Sequence, residues 1–464
     1  MAAEIPLQIG SRRELFWDNL LVDTRFGANF YLHEAQCQPL PRSPFTGDYA
    51  TVIKDGSLYR AYFRRSVPGQ SHDGSDGNAA EISCYAESHD GNEWEFPELG
   101  LFSVNGSSAN NVILAGQAPF SHNFSPFLDL RPGVAAAERY KALAGINSQG
   151  RGNYLEGLHS FVSGDGINWR RNSEVSLIAY DPVWVHAFDS QNVAFWSSAE
   201  QCYLCYFRTW NTKHGTLRSV SRCSSPDFQH WSQAVPMDPN LPGEHLYTNQ
   251  TQPYFRAPHI YLALPTRFMH GQVAGQETRD EQGQIMNLGS TDILFMTSRA
   301  GSNCYQRLFP EALLRPGLAP ERWGNRSNYA ALNVLPTGAG EMSLYHAKSG
   351  HRYTFRTDGF ISIRAGFAVA ELQLKPVIFA GERLQLNYST AAAGIIRVEI
   401  QNLSGQAYPG FSLEQCSPLV GDVIDSYVSW ENNPSLRVLA GEPVRLRFVM
   451  QEADLYSFQF TVAD

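Results

Sequence analysis

The stretch Ser88-His89-Asp90-Gly91-Asn92-Glu93-Trp94 decides the fold, because the chain writes it again. Ser163-Gly164-Asp165-Gly166-Ile167-Asn168-Trp169 and Ser225-Pro226-Asp227-Phe228-Gln229-His230-Trp231 keep the Ser, the Asp and the Trp at the same spacing. The steps from Ser88 to Ser163 and from Ser163 to Ser225 are 75 and 62 residues, and a worn copy, Ser298–Cys304, follows 73 residues on. A fifth echo is Thr357-Asp358-Gly359-Phe360. Ser and Asp side chains bond backbone N–H groups two residues on, and Gly supplies the positive φ of a tight turn. The Trp then offers a flat apolar face for packing between neighbouring sheets. A repeat of this length built from short strands points to a β-propeller with one motif per blade, so five copies predict five blades.

The strands around each copy repeat as well. A third strand runs into each turn: Ile82–Tyr85, His159–Val162, Leu217–Val220, Ile293–Met296 and Arg352–Phe355. A second strand, often opening on Tyr, precedes it: Tyr59–Tyr62, Tyr140–Leu143, Tyr203–Tyr206, Tyr261–Leu264 and Ser343–His346. A first strand with a polar start comes earlier still: Asp48–Val52, Asn123–Phe127, Asp189–Val193, Asn249–Pro253 and Asn325–Tyr329. After about residue 370 the turn motif is gone, while alternating runs continue at Leu384–Tyr388, Ile396–Ile400, Val444–Val449 and Leu455–Phe460. The expectation is all-β: a five-bladed β-propeller over residues 1–370, carrying the catalysis, followed by a C-terminal β-sandwich over 371–464. Leu15–Val22 is a candidate to add a strand to the last blade and close the ring.

Composition narrows the partners. A chain of 464 residues, 12% aromatic and 17% charged, with 38 Gly and 26 Pro, suits a turn-rich all-β enzyme. A net charge of −9 argues against nucleic acid or an anionic membrane and leaves a neutral substrate the natural one. No apolar run approaches the roughly 20 residues of a membrane helix. The N-terminus lacks a basic and then apolar signal region, so a cytoplasmic location is expected. The thirteen His show no metal-ligand spacing, and no motif calls for a cofactor. Cys202 and Cys205 form a C-x-x-C without a second pair, which reads as buried free thiols.

Propeller geometry says where chemistry sits. The start of strand one, the end of strand two and the start of strand three share one rim, while the Ser-x-Asp turns lie on the other. The Asp residues of the turns are therefore structural. The first rim collects Asp48, His122 with Asn123, Asp189 with Asn192, and Glu244 with Asn249. It also collects Arg64, Arg208 with Trp210, Arg267, and Glu81 with Glu156 at equivalent positions. Long Gly-rich loops stand over it, residues 65–80 among them. Carboxylates, amides, Arg and Trp in a funnel suit a sugar, and glycosidic cleavage needs two carboxyl groups across the scissile bond. Glu244 is the expected general acid and Asp189 the nucleophile or base, with Asp48 as a third acid. His122, Asn123, Asn192, Asn249, Arg64, Arg208, Arg267, Trp210, Glu81 and Glu156 are expected to bind substrate.

On this architecture the chain resembles the five-bladed propeller glycoside hydrolases of families 32, 68, 43 and 62. A propeller followed by a sandwich is most similar to family 32, which acts on fructofuranosides. The segments Asn123–Asp129, Ala187–Trp196 and Glu244–Asn249 look like those of uncharacterised bacterial proteins grouped with that family. The resemblance implies a glycosidase, exo-acting on a furanoside or short oligosaccharide. The family's W-x-N-D-P-N-G, R-D-P and E-C motifs are absent from the propeller; Phe188-Asp189-Ser190 is a distant analogue of R-D-P, and Glu244-His245 departs from E-C. Two other readings stay open. A related glycoside phosphorylase would hold phosphate with Arg64, Arg208 and Arg267. A non-catalytic sugar-binding propeller would use His122-Asn123 where family members carry an acid.

Overall fold

The computed structural model describes residues 5–45, 49–70, 76–146, 156–272, 274, 289–432 and 435–462. Among the described residues secondary structure is β throughout, with five single-turn 3-10 segments. Contacts divide the chain into two compact units, residues 35–354 and residues 1–34 with 355–464. Where the sequence reading divides the chain at 370/371, the N-terminal segment joins the second unit and the boundary falls at 354/355.

The first unit is a series of antiparallel sheets in chain order. The first holds Ala50–Asp55, Leu58–Ser66, Glu81–Ser88 and Val112–Leu114; the second Ser125–Leu128, Tyr140–Ala144, His159–Ser163 and Arg170–Arg171. The third holds Val193–Ser197, Cys202–Thr212, Gly215–Ser225 and Val235–Pro236. The fourth set is split. Gln252–Tyr254, Ala257–Ala263 and Met296–Arg299 form one three-stranded sheet; Glu244–Leu246, Thr266–His270 and Gly289–Ile293 form another. Pro265 interrupts the long hairpin, since it has no N–H to give the ladder. The last sheet holds Leu335–Gly338, Glu341–Tyr345, His351–Arg356 and, as its outer strand, Gln36–Pro39. Residues from before the first sheet thus complete the last one. Leu15–Val22 does not do so: Glu14 and Leu15 pair with Phe458 and Ser457 in the other unit.

The first strands stand side by side. The strand at Ser125 packs on those at Ala50 and Val193, the latter packs on that at Gln252, and Thr51 bridges Leu332 in parallel. Their later ends line one cavity of about 560 Å³, to which each of the five contributes, from Ile53, Phe127, Phe195, Tyr254 and Leu335 among others. Two buried amides tie their starts together. Gln191 Nε2 donates to Ala50 O (3.1 Å) and Thr51 Oγ1 (3.0 Å). Gln250 Nε2 donates to Gln191 Oε1 (2.6 Å) and Ala330 O (2.7 Å). Second strands are buried on both faces, as strands stacked between sheets must be, and read as near-continuous apolar runs.

The repeated turn does what its composition predicts. Ser88, Ser163 and Ser225 Oγ each accept the N–H three residues on at 2.9 Å. Asp90, Asp165 and Asp227 Oδ1 each accept two N–H groups at 2.8–2.9 Å. The glycine is a close-approach residue. Gly91 and Gly166 have φ of 74° and 76°, and their carbonyls accept Tyr345 and Tyr62 hydroxyls of the neighbouring sheet (2.8 and 3.0 Å). A Cβ at either would lie 2.5–2.6 Å from that hydroxyl. Trp94 lies between Phe45 (5.7 Å) and Tyr345 (5.8 Å). The outer echoes differ: Ser298 Oγ donates to Cys304 O, and buried Asp358 accepts Asn387 and Ser457 side chains in the second unit.

In the second unit, ten strands among the described residues surround one apolar core. The four runs expected after about residue 370 are two nineteen-residue strands, Arg383–Gln401 and Pro443–Thr461, paired along their lengths with register shifts at 387/388 and 390/395. All seven cysteines are free; Cys205 is buried and Cys202 half-buried.

Two outcomes follow. Trp94→Ala, emptying a buried indole site, lowers unfolding stability by about 3–5 kcal/mol in denaturant titration. Asp165 has its carboxyl brought down to about 2: partial burial opposes the shift, and Asn168, Ile167 and Ser163 hydrogen bonds outweigh it. A depressed carboxyl stabilises the fold above its unfolded value and loses that contribution on protonation. The Tm difference between wild type and Asp165→Asn is therefore constant above about pH 4 and shrinks toward pH 2, with the wild type losing the advantage.

Candidate active site

The site is assembled from the turns that precede first strands and the ends of their neighbours. His122 closes the 3-10 turn Phe120–His122 and is buried. Asp189 follows Phe188, whose φ of 66° turns the chain sharply before the strand at Val193. Two amides hold that turn. Asn123 Nδ2 donates to Phe188 O and Gly145 O (2.7 Å each); Asn192 Nδ2 donates to Phe188 O (3.1 Å) and Ser190 O (3.0 Å). Arg64 and Arg208 come from late positions in second strands, and Glu81 begins a third strand.

These residues converge. His122 Nδ1 lies 2.9 Å from Glu81 Oε1, and its Nε2 lies 3.5 Å from Asp189 Oδ1. Arg208 Nη2 donates to Asp189 Oδ2. Arg64 Nη1 donates to His122 O (3.1 Å) and lies 3.5 Å from Glu81 Oε1. Asp76, from the loop between residues 66 and 81, brings Oδ1 to 4.0 Å from His122 Nε2. The nearest ligand atoms of Asp76, His122 and Asp189 all fall within 4.8 Å of one another. Asp189 and Asp76 reach solvent, with 36% and 40% of their side chains exposed, whereas Glu81 is 8% exposed.

Charge is arranged around Asp189. Burial works against its ionised form, but Arg208 first, then His122 and Arg326, hold its carboxyl well below the usual carboxylate range. Burial likewise opposes charge on His122, and the hydrogen bonds to Asp189 and Glu81 outweigh it and raise its pKa. Asp189 is thus an anion at any physiological pH. Asp76, His122 and Asp189 also offer a cation three ligand atoms, while the Arg208 guanidinium bonds Asp189 through Oδ2. Aromatic faces border the cluster: Arg64 lies over Tyr49 (4.9 Å), and Tyr49 stacks on Tyr329 (5.9 Å).

The remaining expected residues sit elsewhere or serve the scaffold. Glu244 is 2% exposed, and both its oxygens accept Arg307, at 2.7 and 3.1 Å; Arg267 lies 3.7 Å away and pairs with Asp292 (2.9 Å). Asn249 is buried, donating to Tyr206 O (3.3 Å) and accepting Thr251 N–H. Asn123 and Asn192 brace the Asp189 turn and are buried, so they position the acid without facing a ligand. The Trp210 face is covered by Arg218, 4.0 Å from its centroid. Glu156 is half-buried and forms no ion pair among the described residues. Asp48 lies outside the described residues. Sequence reasoning marked the loop 65–80 but not Asp76 within it, and it passed over Arg218. For Asp76 the available signal was a carboxylate in a Gly- and Ser-rich loop over the rim.

No protein-family model matches the chain, and no curated protein does. Among solved structures it is similar to a glycoside hydrolase family 43 arabinoxylan arabinofuranohydrolase from Bacillus subtilis, at 13% identity over 90% of this chain and 96% of that one, TM-score 0.41. An exo-inulinase from Aspergillus awamori aligns at 9% identity over 97% and 98%, TM-score 0.35. An N-acetylgalactosamine deacetylase from F. plautii aligns at 14% over 92% and 96%, TM-score 0.42. At these scores the likeness carries no argument for activity, which rests on the geometry above.

Glu244→Gln separates a structural role from a catalytic one. Removing one partner of a buried ion pair leaves the other charge uncompensated, at about 3–5 kcal/mol. The variant unfolds at lower denaturant, while turnover per folded molecule, counted by active-site titration, stays at the wild-type level.

Proposed function

We propose that the chain is a glycoside hydrolase, and that the sheets of residues 35–354 are five blades of a propeller with the site at one mouth of its channel. The cavity lined by all five first strands supports the architecture. The second unit we read as a β-sandwich without a catalytic part. One observation carries the function: two solvent-reaching carboxylates with nearest oxygens within 4.8 Å, one of them held ionised by an arginine and a histidine. Retaining glycosidases place their carboxyl groups about 5–5.5 Å apart, inverting ones about 6.5–9.5 Å. The spacing favours retention.

In this reading Asp189 attacks the anomeric carbon while Asp76 passes a proton to the leaving oxygen. The glycosyl ester on Asp189 is then opened by water, which returns a proton to Asp76. Arg208 and His122 orient the nucleophile, and Glu81 orients His122. Asp76 replaces Glu244 as the acid because it is open and close, while Glu244 is enclosed by Arg307. The substrate we propose is a furanoside or short oligosaccharide attacked from its end, the class implied by the family resemblance.

A screen of furanosides and oligosaccharides, followed by NMR of the first-formed anomer, tests this; retention is expected and inversion overturns the mechanism. Asp76→Asn loses about 10²–10⁴ in rate on unactivated glycosides and less on nitrophenyl glycosides. Asp189→Asn fails on both, and azide, entering in place of the missing carboxylate, restores turnover of the nitrophenyl glycosides as glycosyl azide. Wild-type turnover by Asp189→Asn refutes the assignment.

A further inference from the structure

Most arginines around the site are committed to a carboxylate. Arg208 holds Asp189, Arg64 approaches Glu81, Arg267 holds Asp292, and Arg307 holds Glu244. Arg218 is the exception: among the described residues no carboxylate pairs with it. It lies on the strand Gly215–Ser225, beside the strand that carries Arg208. Two aromatic faces hold its guanidinium, Trp210 at 4.0 Å and Tyr247 at 4.8 Å. Tyr247 O accepts Arg208 Nη1 at 3.3 Å, so the ring under Arg218 belongs to the residue that also steadies the partner of Asp189.

The polar neighbour of Arg218 brings no negative charge. His245 Nδ1 accepts the Arg218 backbone N–H (3.1 Å), with Arg218 Nη1 at 3.5 Å. Burial first, then Arg218, lower the His245 pKa to about 4, so the imidazole is neutral at pH 7. Burial and the Arg208 charge also lower the pKa of Arg218. A half-buried guanidinium with planar donors, stacked in place and paired with no carboxylate among the described residues, is built for an oxyanion.

We propose that Arg218 is an oxyanion-binding residue of this site, taking either the carboxylate of an acidic sugar in the substrate or inorganic phosphate as co-substrate. The proposal rests on the glycosidase reading only for what lies beside the anion. With phosphate, its oxygen replaces water on the glycosyl group: the glycosidic bond breaks, a glycosyl phosphate forms, and the leaving oxygen takes a proton as an alcohol.

The test is equilibrium binding by calorimetry, independent of turnover, with galacturonate, inorganic phosphate and neutral galactose as probes. At least one anion binds at least tenfold more tightly than galactose, and Arg218→Gln removes that preference. Arg218→Lys, which keeps the charge and loses the planar fork, retains part of it and guards against a folding defect in the first variant. Preference for galacturonate identifies an acidic sugar; preference for phosphate, with turnover that requires phosphate, identifies a phosphorylase. If neither anion exceeds galactose, or if both Arg218 variants bind as wild type does, the proposal fails. Anion binding in a protein without glycoside turnover leaves the oxyanion site standing and removes the glycosidase reading; turnover of neutral glycosides with no anion preference does the reverse.

Discussion

The hydrogen bonds of Gln191 and Gln250 are the constraint on which the first unit depends. Their amides are fully buried and join segments from four sets of strands: Ala50 and Thr51 of the first, the turn before the third, the turn before the fourth, and Ala330 before the last. Apolar contacts between sheets are tolerant of small slides. A buried amide is not, because each unmet N–H or C=O costs about 1–3 kcal/mol. The lattice therefore sets how the first strands meet as well as that they meet.

That constraint reaches the site directly. Asp189, Gln191 and Asn192 belong to one short turn. Gln191 faces inward to the amide lattice, Asn192 and Asn123 hold the Phe188 carbonyl, and Asp189 is left facing outward to Arg208 and His122. A left-handed Phe188 is strained for a residue with a side chain. The buried amides on either side over-determine it. The carboxylate is thus rigid for reasons that lie beneath it, which is what a preorganised anion requires. His122 is fixed in the same manner, by Glu81 below and Arg64 alongside.

Electrostatics then sort acids that look alike in the chain. Asp189 and Glu244 both precede first strands and both meet arginine. The difference is exposure: Arg208 leaves part of Asp189 open, while Arg307 takes both oxygens of Glu244 in a closed pocket. Arg218 is sorted by the same test in the opposite sense, a cation that stacks on aromatic faces and pairs with no carboxylate among the described residues.

What the sequence by itself determined is local. Ser, Asp and Gly at the turn act through backbone groups within three residues, so the three clear motifs and the strands that enter them were legible, as was the structural role of the turn aspartates. The gathering of Arg64, Glu81, His122, Asp189 and Arg208 was legible too, because strand direction alone assigns each residue to an end. Only the tertiary structure decided the rest. Completion of the last sheet by Gln36–Pro39, and not by Leu15–Val22, depends on pairing across more than 300 residues, between strands of similar propensity. The fate of Glu244 was set by Arg307, 63 residues away, and that of Asp76 by the path of a loop. Charge pairing and loop reach are properties of three-dimensional proximity, and no periodicity in a chain records them.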